Sequence, residues 1–232
     1  MINKVVKDVI KTLEEIADPV RKSKAEILYP TSMTIYGVWN TKLNDIAKEL
    51  KADTKKWIIQ DVIQLAKELV DTNNYECRFI AYKLIGRNTK VLTRMTVDDM
   101  EALRRGLDNW ESVDCFAMQI AGILWSDGLI TDKMVISWAK SENLWERRLA
   151  LATTVGLNMK TNGLKATPKK TIMICNLLIN DKADMVIKAL SWAIRELAEV
   201  DRAAAKEYYK ENQFKFPARV RREVKAKFET GK

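Results

Sequence analysis

Three aromatic–glutamate pairs, Tyr75-Glu76, Trp110-Glu111 and Trp145-Glu146, recur 35 residues apart. Each opens a stretch with helical apolar spacing: Tyr75 to Ala81, Trp110 to Ala117 and Trp145 to Ala152. A fourth copy, Met185 to Leu190, follows Trp145 after 40 residues, the extra length falling in the polar stretch Asn158 to Lys170. A repeat of this period with two helical patterns cannot bury its apolar face alone, so copies stack against one another. The expected fold is therefore all-α: a solenoid of HEAT-like helical pairs.

The second helix of each unit is expected at roughly Val97 to Gly106, Thr131 to Ser141 and Pro168 to Asn180, with Gly128 and Gly163 at turns. Nearer the N-terminus, Ile2 to Ala17 and Val20 to Leu28 read as helices parted by Asp18-Pro19. Thr41 to Lys51 and Thr54 to Val70 read as another pair. Only 8 Gly and 4 Pro leave too little turn punctuation for an all-β chain. With no long linker, residues 1–232 read as one domain, basic from about residue 206 to 232.

An excess of 40 Lys+Arg over 31 Asp+Glu gives a net charge of +9, which favours a polyanionic partner. Histidine is absent, which removes the commonest general base and metal ligand. Cys77, Cys115 and Cys175 are odd in number and lack metal-ligand spacing, so reduced thiols in a cytosolic protein are expected. Met1 to Glu15 shows no signal-peptide core, and no window reaches roughly 18 uninterrupted apolar residues, so no membrane association is expected.

The candidate chemistry lies in three separated segments. On the helix opening at Trp110, with Asp108 or Asn109 as its N-cap, Val113, Phe116, Ala117, Ile120, Ala121 and Leu124 form the apolar stripe. Trp110 lies on its shoulder and Asp114 one turn further on the same side, at the boundary of the core. Arg148 follows Trp145, and Trp192 and Arg195 share a helical face near Lys188. Each element has a plain structural alternative: a core indole, an aspartate bonding a neighbouring helix, a snorkelling arginine. Stacking of repeats would instead bring Trp110, Asp114, Arg148, Lys188, Trp192 and Arg195 onto one concave basic surface. Cations there would hold phosphates, and aromatic faces would meet sugar or base. The C-terminal run Lys206, Lys210, Lys215, Arg219, Arg221, Arg222, Lys225 and Lys227 is interleaved with Tyr208, Tyr209, Phe214, Phe216 and Phe228. It reads either as a solvated helix face or as a further DNA contact.

The pieces Trp110-x-Ser112-Val113-Asp114, Asn143-x-Trp145-x-x-Arg148 and Lys188-Ala189-x-x-Trp192-x-x-Arg195-Glu196 resemble, in order and spacing, the DNA alkylation repair family of AlkD-like DNA glycosylases. A weaker likeness is Tyr36-Gly37-Val38 ahead of the helix Leu43 to Leu50. The resemblance covers most of the chain. It implies HEAT-like repeats and a monofunctional glycosylase of base excision repair that releases purines alkylated at N3 or N7. Asp114 would be the catalytic carboxylate, Trp110 and Trp192 would pack on the lesion-bearing deoxyribose, and Arg148 would hold a phosphate. The implied partner is double-stranded DNA carrying alkylated bases, bound by a monomer in a bacterial or archaeal type of cytoplasm, at the nucleoid. The family also holds members that bind DNA without clear base excision, so a non-catalytic module for damaged or branched DNA is the alternative. The lengthened path around Thr161 to Lys169 is a departure from the family pattern.

Overall fold

The computed structural model describes residues 1–165 and 167–231. These form fifteen α-helices and no strand, in agreement with the all-α expectation; a lone parallel bridge joins Thr34 to Asn74. They group into two compact units, Met1–Ile120 and Ala121–Lys232.

The first unit runs α1 (Ile2–Glu15), α2 (Pro19–Leu28), α3 (Asn40–Asp53), α4 (Ile59–Asp71), α5 (Tyr75–Ile85), α6 (Thr89–Leu92), α7 (Val97–Arg104) and α8 (Trp110–Phe116). Asp18 begins α2 by accepting from the backbone N–H of Val20 and Arg21, and Pro19 occupies the first helical turn, where its missing N–H costs nothing. The helix expected from Thr54 starts only at Ile59. The Thr54 hydroxyl donates back to the Leu50 carbonyl at 2.7 Å, and the Trp57 N–H closes a 3₁₀ turn on the Thr54 carbonyl at 2.9 Å. Trp57 is then extended, which separates α3 from α4. Helix α5 packs between α3 and α4 and is buried on nearly every side, from Tyr75 to Ile85.

The second unit runs α9 (Gly122–Ser126), α10 (Asp132–Ala139), α11 (Leu144–Asn158), α12 (Pro168–Leu178), α13 (Asp184–Val200), α14 (Arg202–Asn212) and α15 (Ala218–Thr230). Helix α11 is its axis, packed by α9, α10, α12 and α13 and buried from Arg148 to Asn158. A Cβ on Gly122 would lie 2.4 Å from the Gly156 carbonyl carbon, so the contact between α9 and α11 requires glycine there. Within the stretch Asn158 to Lys170, Gly163 ends a 3₁₀ turn in the left-handed conformation, and Ala166 lies outside the described residues.

The sequence repeat has a physical basis at the helix starts. Asn74, Asn109 and Asn143 each cap a helix, their side-chain oxygens accepting from the backbone N–H of Cys77, Ser112 and Trp145. Thr96 and Thr131 do the same for α7 and α10, Thr96 within a reciprocal capping box with Asp99.

Candidate functional site

Trp110 and Asp114 belong to the first unit, and Arg148, Lys188, Trp192 and Arg195 to the second. Helix α8 is started by Asn109, which settles the cap in favour of that residue. Its neighbour Asp108 accepts from the Thr31 hydroxyl and from the Ser32 N–H at 2.6 Å, tying the segment after α2 to the start of α8. Burial raises the Asp108 pKa, but these hydrogen bonds outweigh it and hold the carboxyl below its ordinary value.

The plane of Trp110 is set by two contacts. Its indole N–H donates to the Leu28 carbonyl at 3.0 Å, and its ring meets Tyr29 edge-on at 6.2 Å. Tyr29 stacks on Tyr75 at 4.8 Å, and the Arg21 guanidinium donates to the Tyr29 hydroxyl at 2.8 Å. Asp114 is deeper than its boundary position on a helical projection implied, at 7 % exposure. The five residues Ser112 to Phe116 are all buried, so this turn of α8 has no solvated side. A π-helical turn over Ala117–Ala121 follows, a form that recurs at functional positions in helices.

A second carboxylate dominates the interior of this unit. Glu76, fully buried, accepts from the backbone N–H groups of Tyr36 at 3.1 Å, Gly37 at 2.7 Å and Val38 at 3.2 Å. Gly37 has φ +90°, and a Cβ there would lie 2.4 Å from the Asp18 carbonyl oxygen. Glu111, one repeat later, accepts from the Asn40 amide at 3.2 Å. The Tyr75 hydroxyl is raised well above its ordinary pKa by burial and then by the charge of Glu111. The repeated aromatic–glutamate pair was the sequence signal for these carboxylates, but nothing in the spacing pointed to the Tyr36–Val38 backbone as the partner of Glu76.

In the second unit Arg148 is 5 % exposed, and one guanidinium nitrogen donates to the Met185 carbonyl at 2.6 Å. Its neighbour Arg147 forms an ion pair with Asp181 at 2.7 Å and also donates to the carbonyls of Ser141 and Glu142, which fixes the entry to α11. Lys188 pairs with Asp184 at 2.8 Å, and Arg195 lies 3.9 Å from Glu223, which also accepts from the Ser191 hydroxyl at 2.6 Å. Arg219 contributes to both carboxylates. Trp192 is half-buried on α13, on the turn of Arg195.

Most of the C-terminal aromatic residues pack on one another. Tyr208 and Phe216 are buried, with rings 5.8 Å apart, and Tyr209 stacks on Phe216 and meets Phe228 edge-on. Tyr209 and Phe228 stay half-buried, and Phe214 is 91 % exposed. Several cations there have local partners: Lys227 with Glu199, Lys225 with Glu229, Arg221 with the Phe216 carbonyl. Lys232 lies outside the described residues.

Burial pushes the thiols of Cys77, Cys115 and Cys175 up to about 12, which leaves them as neutral packing groups. Among the described residues, no three Cys, Asp or Glu side chains converge as a metal site would require. No helix is long and apolar enough to cross a membrane among the described residues.

No curated protein matches the chain. Among solved structures, a chain described as "Predicted DNA alkylation repair enzyme from Enterococcus faecalis" shares the fold at a TM-score of 0.72 and 17 % identity, covering 93 % of this chain and 98 % of that one. The family model described as "DNA alkylation repair enzyme" matches residues 9–228, nearly the whole chain. On that match the chain belongs to the DNA alkylation repair enzyme family.

Proposed function

We propose that this chain is a monofunctional DNA glycosylase that hydrolyses the N-glycosidic bond of purines alkylated at N3 or N7 in duplex DNA. The observation that carries the reading is a carboxylate, Asp114, buried one helical turn beyond an indole whose plane is fixed by Leu28 and Tyr29. An N3- or N7-alkylated purine is cationic and leaves without being protonated. As the bond from C1′ to nitrogen breaks, its electron pair neutralises the purine and positive charge develops on the sugar. A fixed carboxylate in a dry site stabilises that charge and orients a water, whose oxygen bonds to C1′ while its proton passes to solvent. An indole face beside the sugar adds a cation–π contribution of roughly 0.5 to 2 kcal/mol.

Trp192 is assigned to the sugar–phosphate backbone, and Arg148, Lys188 and Arg195 to phosphates. For Lys188 and Arg195 this asks a phosphate to displace a partly exposed carboxylate, an exchange of low cost because exposed ion pairs contribute about 1 kcal/mol or less. Arg148, anchored on Met185, would reach a phosphate only through its residual exposed edge. The recurring Asn caps support HEAT-like repeats. The proposed protein is a cytoplasmic monomer acting in base excision repair without metal or cofactor.

A non-catalytic module binding damaged or branched DNA is the second reading, favoured by the net charge of +9, which asks for a polyanion but for no chemistry at Asp114. Release of free base from duplex DNA carrying a single N7-methylguanine separates the two. Lesion-dependent release by the wild-type chain, lost in Asp114→Asn, supports the enzyme; binding with no release above spontaneous depurination replaces it with the module.

A further inference from the structure

The first unit also holds a lysine-lined cavity of about 530 Å³ whose walls include neither Trp110 nor Asp114. The last turn of α3, the 3₁₀ turn after it, the start of α4, the end of α5 and the start of α6 enclose it. Lys48, Lys51, Lys55 and Lys90 line it, and no carboxylate does. None of the four lysines has an ion-pair partner among the described residues, unlike Lys67, Lys170, Lys188 and Lys227. All four lysines are exposed at the rim, so together they give this concavity a positive edge open to solvent. Partial burial pulls the Lys51 pKa below the ordinary lysine value.

The rest of the lining says what kind of anion fits. Ile59, Val62, Leu84 and Val91 make an apolar floor, and the half-buried indole of Trp57 stands at one side. Asn88 and Thr54 add polar contacts. The cavity also borders the start of α4, which has no side-chain cap at Ile58 and carries Asp61 in its first turn. Inorganic phosphate would use the lysines alone; a phosphate joined to a flat ring would use the indole and the floor too.

We propose that this cavity is a binding site for a nucleoside monophosphate group, either a free nucleotide or the 5′-phosphorylated end of a DNA strand. Calorimetric titration of the full chain at low salt tests it with dAMP, inorganic phosphate, and a short single strand with and without its 5′-phosphate. The expected result is saturable binding of dAMP or of the phosphorylated strand, tighter than inorganic phosphate. The K51Q/K90Q double variant should weaken it at least about tenfold, and Trp57→Ala should weaken it further. Binding of dAMP alone identifies free nucleotide; binding only of the strand, lost with its phosphate, identifies a strand end. Absence of saturable binding by either, equal affinity for inorganic phosphate, or affinity unchanged in K51Q/K90Q overturns the proposal. Base release from N7-methylguanine duplex by K51Q/K90Q, whose lysines lie outside the Trp110–Asp114 turn, should match wild type, so failure of the glycosylase reading and failure of this one are separately visible.

Discussion

The carboxylate of Glu76 sits 2.7 Å from the backbone N–H of Gly37, thirty-nine residues away in the chain, and holds the Tyr36–Val38 segment against α5. Removing it strands three buried donors. Glu76→Ala should lower unfolding free energy by about 3 kcal/mol or more, read as a shift of the urea midpoint. Gly37→Ala, which forces a Cβ into the Asp18 carbonyl at positive φ, should cost about 2 kcal/mol or more. A midpoint unchanged in Glu76→Ala would mean that the segment is held by something else.

Asp114→Asn keeps shape and loses charge. Base release from N7-methylguanine duplex should fall roughly a hundredfold or more, while affinity for the lesion duplex holds or rises, because a negative charge near phosphates has gone. Single-turnover release and equilibrium binding, measured on the same protein, check the two halves.

Trp110 uses its indole N–H on the Leu28 carbonyl. Trp110→Phe removes that donor and should cost about 1 kcal/mol in stability. If the plane of the ring matters to the reaction, base release falls by more than the stability loss explains. A thermal melt beside a release assay distinguishes a packing role from a positioning one.

Hydrogen bonds from Thr31 and Ser32 hold Asp108 below its ordinary pKa against the opposing effect of burial. The unfolded chain therefore binds more protons as pH drops, so this contribution to stability is fully present above the ordinary carboxylate value. It is lost as pH falls through the lower folded value. Urea midpoints taken between roughly pH 5 and pH 2 should decline less steeply in Asp108→Asn than in wild type. Equal slopes would refute the role of this carboxyl.

Phe216 and Phe214 lie two residues apart and should behave oppositely. Phe216→Ala removes a buried ring packed on Tyr208 and Tyr209 and should cost about 3 to 5 kcal/mol. Phe214→Ala should stay within about 0.5 kcal/mol, as denaturant titration of the two variants would show.

The all-helical fold was legible because helical periodicity and capping are local. A helix start needs an Asn or Thr within three residues of the N–H it accepts, so Asn109 and Thr96 act on neighbours in the chain. The same locality exposed the 35-residue recurrence and the family motif around Asp114. Burial is not local. A helical projection gives a residue's angle but not how many neighbours close over it, which is why Asp114 and Arg148 lie deeper than their angles implied. Nor could spacing separate an aromatic that meets a ligand from one that meets the rest of the fold; the return of the chain at Phe216 onto Tyr208 decided that for this pair. The partner of a buried charge is likewise tertiary. Glu76 needs three donors at one point, and only the folded chain brings Tyr36, Gly37 and Val38 there.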